Sequence, residues 1–341
     1  MELLIIKLGA MGDVLRTTPI LTSLKSKYPG CKITWLVDPK SSEVLQGNSL
    51  IDELVELSKV NLSRLEKQTF DLAMNFDKEK PALDAIMRLS AKKKAGFGWS
   101  PKKDLCALDS ASNYAYRLGI DDELKFRKNQ KTYQAITFEQ AGLSFNGEEY
   151  ILPLGDQEIS YARSHLKKLG VNLDDPSRFI VGLNTGSGSR FAGKKLPISA
   201  YVALAQKFCT QMSAVVLLLG GKEEIQRNGE IQTLSRVPVI NTGSHSIKQF
   251  ASMVRECDVV VSGDTIAMHV AIAVKVPVVA FFASTCAAEI ELYGRGKKLM
   301  SNINCAPCYL RDCPIDEKCM KEMGVDIIFD SVRDVLEGIS V

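Results

Sequence analysis

Short apolar runs alternate with helical spacings in two successive series along the chain. Glu2–Lys7 reads as a strand and a glycine turn follows it. Leu15, Ile20, Leu21 and Leu24 then give an apolar face to a helix from Gly12 to Lys27, with a kink expected at Pro19. Lys32–Val37, Glu53–Leu57 and Leu72–Asn75 read as further strands with helical patterns between them, whereas Asp109–Lys131 is polar and fits neither period. The second series begins near Arg178. Phe179–Leu183, Ala214–Leu219, Val237–Asn241, Val259–Ser262 and Val278–Phe282 are apolar runs without polar alternation, as expected of strands covered on both faces. Ile198–Met212 and Asp326–Ile339 have helical spacing, and Asn172–Ser177, with Asp174, Asp175 and Pro176, reads as a linker. The pattern predicts an α/β protein with two doubly wound parallel sheets, in domains spanning 1–172 and 173–325, and a terminal helix over 326–341.

Composition leaves that picture intact. The 341 residues are 45% apolar and 24% charged, the balance of a water-soluble globular protein, and a net charge of +3 does not argue for nucleic acid. The lysines do gather, at Lys92–Lys94 with Lys102 and Lys103, and at Lys125, Arg127, Lys128 and Lys131. Such groups form either a solvated face or a surface for an anionic substrate or a membrane headgroup layer. Leu3–Ile6 is too short for a signal peptide before Lys7, and no window approaches the roughly 18–20 apolar residues of a membrane span, so a cytoplasmic protein is expected.

In open parallel sheets ligands bind beyond the carboxyl ends of strands, and the informative segments fall there. In Lys7-Leu8-Gly9-Ala10-Met11-Gly12-Asp13, two glycines bracket a strand-to-helix turn and would permit positive φ or a close approach. Asp13 there is either a first-turn acid favoured by the helix dipole or a carboxylate facing a cleft. In the segment Val259–His269, the turn Ser262-Gly263-Asp264-Thr265 opens a helix whose amides could hold an anion, with His269 one turn beyond Thr265 on the same face. A helical histidine in such a place is structural or functional. Asn184-Thr185-Gly186-Ser187-Gly188-Ser189, followed by Arg190 and by Lys194 and Lys195, suits phosphate contacts but is not a P-loop; a ligand-free glycine-serine loop reads the same way. Gly220-Gly221-Lys222-Glu223-Glu224 ends the most apolar strand, where an acid could bind ribose hydroxyls or begin the next helix. Of nine cysteines, Cys305, Cys308, Cys313 and Cys319 fall within fifteen residues. They read as a structural zinc or iron site or as free thiols; the close spacing after Cys308 departs from the common two-knuckle zinc arrangement.

Together these segments resemble glycosyltransferase family 9, the ADP-heptose:lipopolysaccharide heptosyltransferases, over nearly the whole chain. The resemblance rests on Gly12-Asp13-Val14 with Thr18-Pro19, Lys194-Lys195-Leu196-Pro197, Gly263-Asp264-Thr265 with Met268-His269, and the cysteine-rich stretch ending in Cys319-Met320. It implies a GT-B fold, two Rossmann-like domains facing a central cleft with the C-terminal helix crossing back to the first, and an inverting, metal-independent transfer. It makes Asp13 the catalytic base, with Lys7 and Gly12 beside it on the acceptor side. It aligns Lys194 with a lysine that contacts the diphosphate, Glu223 with an acid near the nucleotide ribose, and Asp264 and His269 with sugar- and phosphate-contacting positions; the loops themselves add Thr185, Ser187, Gly263 and Thr265 to the expected nucleotide-sugar site. The implied partners are an ADP-sugar donor and an anionic glycolipid, the lipopolysaccharide core, met at the cytoplasmic face of the inner membrane. Ile266, Leu196, Lys275 and Ala283 depart from the family pattern, Leu196 where tryptophan is common and the other three where glycine is usual. A nucleotide-sugar epimerase or hydrolase on the same fold, and a non-catalytic nucleotide-sugar-binding protein, are the alternatives. A dehydrogenase is disfavoured because no G-x-G-x-x-G follows the first strand.

Overall fold

A computed structural model of the chain describes residues 1–187 and 193–338. Gly188, Ser189 and Arg190 of the expected phosphate loop, and positions 339–341 of the expected terminal helix, lie outside the described residues. The chain forms two compact units, one of residues 1–153 with 288–291, the other of residues 154–287 with 292–341.

The first unit holds β1 (Glu2–Ile6), α1 (Met11–Leu15), α2 (Ile20–Lys27), β2 (Lys32–Val37), β3 (Glu53–Glu56), α3 (Lys59–Leu65), β4 (Thr69–Asn75), α4 (Lys80–Arg88), β5 (Ser90–Trp99), β6 (Leu105–Ala107), α5 (Asn113–Arg117) and α6 (Tyr133–Gln140). Its sheet runs β3-β2-β1-β4-β5-β6, parallel except that β6 is antiparallel to β5. The expected helix over Gly12–Lys27 is two helices. Thr17 and Thr18 turn their hydroxyls back on the Asp13 and Leu15 carbonyls (2.7 Å each), and Pro19 has no N–H with which to continue the ladder. Neither Gly9 nor Gly12 takes up the positive φ that glycine would permit there. Lys92–Lys94 lie within β5, where Lys92 pairs with Asp71 at 2.7 Å, and Lys131 pairs with Glu139.

The second unit holds α7 (Asp156–Lys168), β7 (Ile180–Asn184), α8 (Ile198–Gln211), β8 (Val215–Leu219), α9 (Ile225–Leu234), β9 (Val239–Asn241), α10 (Ile247–Val254), β10 (Val259–Gly263), α11 (Ile266–Ala273), β11 (Val278–Phe282), β12 (Gly296–Met300), α12 (Lys318–Lys321) and α13 (Val325–Leu336). Its all-parallel sheet runs β12-β11-β10-β7-β8-β9. β7, β10 and β11 are buried at every position, which is why they read as unbroken apolar runs. In both sheets the strand order reverses beside the first strand, at β1/β4 and at β7/β10, the arrangement of a Rossmann-like sheet.

Two boundaries differ from the expectation. The 172/173 division falls inside the second unit, because α7 precedes it and packs on α10. The terminal helix, expected over 326–341, is α13 at Val325–Leu336 and belongs to the second unit. α13 lies on α8 and on β10, β11 and β12, with Ile328, Phe329 and Val332 in that unit's core and the Phe329 and Phe208 rings 5.5 Å apart. No helix among the described residues is long and apolar enough to cross a membrane.

A ring cluster joins α7 to the loop after β9. His165 and His245 both direct Nε2 at the Thr242 carbonyl, so each ring donates there, and His245 Nδ1 accepts from the Tyr161 hydroxyl at 3.0 Å. His245 is thereby satisfied as a neutral ring. Its pKa lies below the ordinary value because of partial burial, opposed by the bond to Thr242 and reinforced by His165. Above about pH 6.5 the ring is neutral in folded and unfolded chains alike. As the pH falls further, the unfolded chain takes the proton first, so stability is lost down through the folded pKa. The urea midpoint should therefore drop between pH 7.5 and 5.5, and His245→Gln should remove part of the drop; equal drops in both proteins would exclude the ring as a source.

Candidate functional site

In the second unit the site grows from the reversal between β7 and β10. Asn184, the buried last residue of β7, directs its amide nitrogen at Ser262 Oγ and Thr265 Oγ1 (3.1 Å each) and at the Gly186 carbonyl (2.9 Å), so one side chain ties both strand ends together. Its backbone carbonyl accepts from Tyr201, whose phenol burial holds well above the ordinary pKa. Thr265 caps α11 by accepting from the Ala267 amide at 3.2 Å. Lys194 reaches back over this turn, with Nζ 2.9 Å from the Asp264 carbonyl and 3.1 Å from its carboxylate. The buried His269 ring lies 3.8 Å from the other carboxylate oxygen, so Asp264 stands between a cation and an imidazole. Gly263 is required here, since a Cβ on it would sit 2.1 Å from the Lys194 carbonyl oxygen. Ile266 needs no glycine: it lies in the first turn of α11 with a helical backbone.

The loops after β7 and β8 complete this wall. Thr185 is buried, with its hydroxyl in reach of the Leu219 carbonyl (3.3 Å) and the Asn228 amide oxygen. Ser187 is half-buried at the edge of the described stretch. Glu223 is exposed, and it is Glu224 that turns inward. Its carboxylate accepts from the Gly221 amide at 2.8 Å and fills the space where a Cβ on Gly186 would stand. A turn of 3-10 helix over 222–224 sets this phase after the two glycines.

In the first unit the corresponding reversal lies between β1 and β4. Asp77, two residues past β4, accepts from the Leu8 and Gly9 amides (3.1 and 3.3 Å), and the buried Lys7 ammonium lies 3.5 Å from the same oxygen. Asn75 holds Asp77 by accepting from its amide at 3.0 Å. Burial works against the charged Lys7, yet Tyr133, Asp13 and Asp77 outweigh it, against Arg16, and its pKa stands above the ordinary value. Asp13 lies in the first turn of α1 with Gly12 before it. Its carboxylate accepts from the Ala10 amide and pairs with Arg16 at 2.7 Å, and its side chain keeps 30% of its surface in water. The Arg16 guanidinium lies 3.7 Å over the Tyr133 ring, and Tyr133 meets Thr17 at 2.9 Å. Lys78, next to Asp77, keeps surface in water although surrounding protein, then Lys125 and Lys7, bring its pKa down to about 8, against Glu289 and Asp77. Asp77, Arg16, Tyr133 and Lys78 carried no motif in the sequence; only their contacts in the fold mark them.

The four cysteines of the last candidate site are thiols of unequal exposure: Cys305 is exposed, Cys308 and Cys313 are half-buried and Cys319 is buried. Burial, with the charges of Cys313, Cys305 and Cys308 and against the Met320 amide, pushes the Cys319 thiol up to about 11. Among the described residues no three metal-binding side chains are grouped as a ligand set.

The comparisons with known proteins agree with this geometry. The model of a family described as glycosyltransferase family 9 (heptosyltransferase) matches residues 62–319. Lipopolysaccharide heptosyltransferase 1 of Pseudomonas aeruginosa is 23% identical over 334 residues, covering 92% of this chain and 87% of that protein. Among solved structures, a glycosyltransferase family 9 protein of Veillonella parvula superposes with a TM-score of 0.74 at 17% identity, over 99% of this chain and 97% of the other. E. coli ADP-heptose lipopolysaccharide heptosyltransferase II gives 0.70 at 15%, over the full length of both. The two Rossmann-like units are those of the GT-B glycosyltransferases. The chain belongs to glycosyltransferase family 9, the heptosyltransferases.

Two glycine substitutions test the packing of the cradle. Gly263→Ala forces a Cβ into the Lys194 backbone and should cost about 1–3 kcal/mol in denaturant unfolding. Gly229→Ala, inside α9 with open space around it, should instead stabilise by about 0.5–1 kcal/mol. Equal effects would show that Gly263 is not confined.

Proposed function

We propose that the protein transfers a heptose from an ADP-heptose donor to a lipopolysaccharide inner-core acceptor, with inversion and without a catalytic metal. The observation that carries the reading is the Asp13 carboxylate. It is open to water at a strand-order reversal and held in place by Arg16, itself fixed on Tyr133. The relatives' names supply the donor and acceptor class.

In this reading an acceptor hydroxyl attacks the anomeric carbon while the bond to the diphosphate oxygen breaks on the opposite face. The hydroxyl proton passes late to Asp13, a task an ordinary carboxylate can perform when the transition state resembles an oxocarbenium ion. The negative charge that develops on the ADP leaving group is met by Lys194 and by the amides at the start of α11. Lys194 would exchange its pairing with Asp264 for the diphosphate, leaving Asp264 and His269 to meet sugar and phosphate oxygens. Glu224, which turns inward, would meet the ribose in preference to the exposed Glu223. Acceptor phosphates, at the cytoplasmic face of the inner membrane, would meet Lys78, Lys125, Arg127 and Lys128 of the first unit.

Asp13→Ala should lower kcat by at least about a hundredfold, the usual span of general-base catalysis. Calorimetric binding of ADP should stay within about twofold of wild type. Wild-type turnover in that variant would remove Asp13 from the chemistry. Product analysis with and without acceptor separates transfer from hydrolysis and epimerisation.

We also propose a structural zinc or iron ion at Cys305, Cys308, Cys313 and Cys319. The donor chemistry of four thiols within fifteen residues suits either metal. Among the described residues the thiols as placed are not a ligand set, so binding requires them to draw together. Metal analysis of the purified protein should find about one equivalent of zinc or iron; metal-free protein with four titratable thiols in this segment would overturn the assignment.

A further inference from the structure

β11 ends at Phe282, and the next four residues, Ala283-Ser284-Thr285-Cys286, are all buried. The backbone of this loop is well held: the Ser284 carbonyl accepts from the Tyr309 amide at 2.8 Å, and the Cys286 amide donates to the Tyr309 hydroxyl at 3.2 Å. The hydroxyls of Ser284 and Thr285 are not. Ser284 is 2% and Thr285 4% exposed, and among the described residues neither Ser284 Oγ nor Thr285 Oγ1 has a hydrogen-bond partner. A buried hydroxyl without a partner opposes folding, and native proteins keep few of them without a reason. Two in succession therefore call for an occupant.

Their place in the fold says which. β11 pairs in parallel with β10, Phe281 beside Gly263, so the loop after β11 emerges next to the Gly263–Thr265 turn. Ser284 Cβ lies 3.9 Å from where a Cβ on Gly193 would stand, and Lys194 follows directly, its carbonyl seated on Gly263. The two hydroxyls thus share the carboxyl end of the sheet with the cradle's lysine. We propose that Ser284 and Thr285 donate hydrogen bonds to the diphosphate oxygens of the bound nucleotide-sugar, an assignment that rests on the donor reading above. The pair extends the cradle from the β7/β10 reversal to β11.

The test uses the full-length protein with Ser284→Ala, Thr285→Val and the double substitution, titrated calorimetrically with ADP, ADP-heptose and adenosine, alongside melting curves of the ligand-free proteins. Each single substitution should weaken ADP and ADP-heptose about tenfold, the effect of one hydrogen bond to a charged group. Adenosine binding should not change. The ligand-free melting temperature should hold or rise, since an unpartnered hydroxyl has been removed. Unchanged ADP affinity in the double variant overturns the assignment, as does a lower melting temperature with affinity preserved. If the wild type binds neither ADP nor ADP-heptose, the donor reading falls and this assignment with it.

Discussion

Each sheet of this protein has one place where neighbouring strands send their following chains to opposite sides, and the functional geometry depends on how that gap is closed. Strand ends there expose amides and carbonyls that no ladder can satisfy, and a buried group left unpaired costs about 1–3 kcal/mol. In the first unit Asp77 closes the gap by accepting from the amides of Leu8 and Gly9. In the second, Asn184 closes it with an amide that reaches Ser262, Thr265 and Gly186. One gap is closed by a charged acceptor and the other by a neutral donor. The first consequently draws in a buried lysine, and the second keeps small hydroxyls in line with a helix start.

Charge is then arranged around these closures. Lys7 keeps its proton although buried, because Tyr133, Asp13 and Asp77 surround it. Arg16 pairs with Asp13 and is fixed through its flat face on Tyr133, an arrangement a lysine could not reproduce. In the second unit the carboxylate of Asp264 is the shared partner of Lys194 and His269. The two units therefore present different charge pairs on the same scaffold: a partly exposed carboxylate held by an arginine in one, and a lysine turned onto a helix start in the other.

Much of this was legible in the sequence, and the exceptions share physical causes. Strands buried on both faces, such as Val259–Gly263 and Val278–Phe282, announce themselves as apolar runs. β5 did not, because its Lys92–Lys94 stretch carries surface charges, Lys92 paired with Asp71. The Gly12–Lys27 spacing concealed a break made by two threonine hydroxyls and a proline. The 172/173 division failed because a polar linker composition says nothing about which neighbour a helix packs on, and α7 packs on α10. Motif residues such as Asp13, Lys194 and Asp264 stand where strand ends were expected. Their partners Arg16, Tyr133 and Asp77 come from unremarked positions, and only tertiary contact reveals them.

The seat of Lys194 has a consequence for selectivity. A surface lysine gives up on the order of 2 kcal/mol of rotamer entropy when a ligand immobilises it. Here its carbonyl is pressed against Gly263 and its ammonium is already anchored to Asp264 within the same turn. That disorder is lost when the chain folds, not when an anion arrives. In the proposed reading an incoming diphosphate would meet a cation with a set direction and would have only to displace a carboxylate, so discrimination among anions would fall on how well each one competes with Asp264 for that charge.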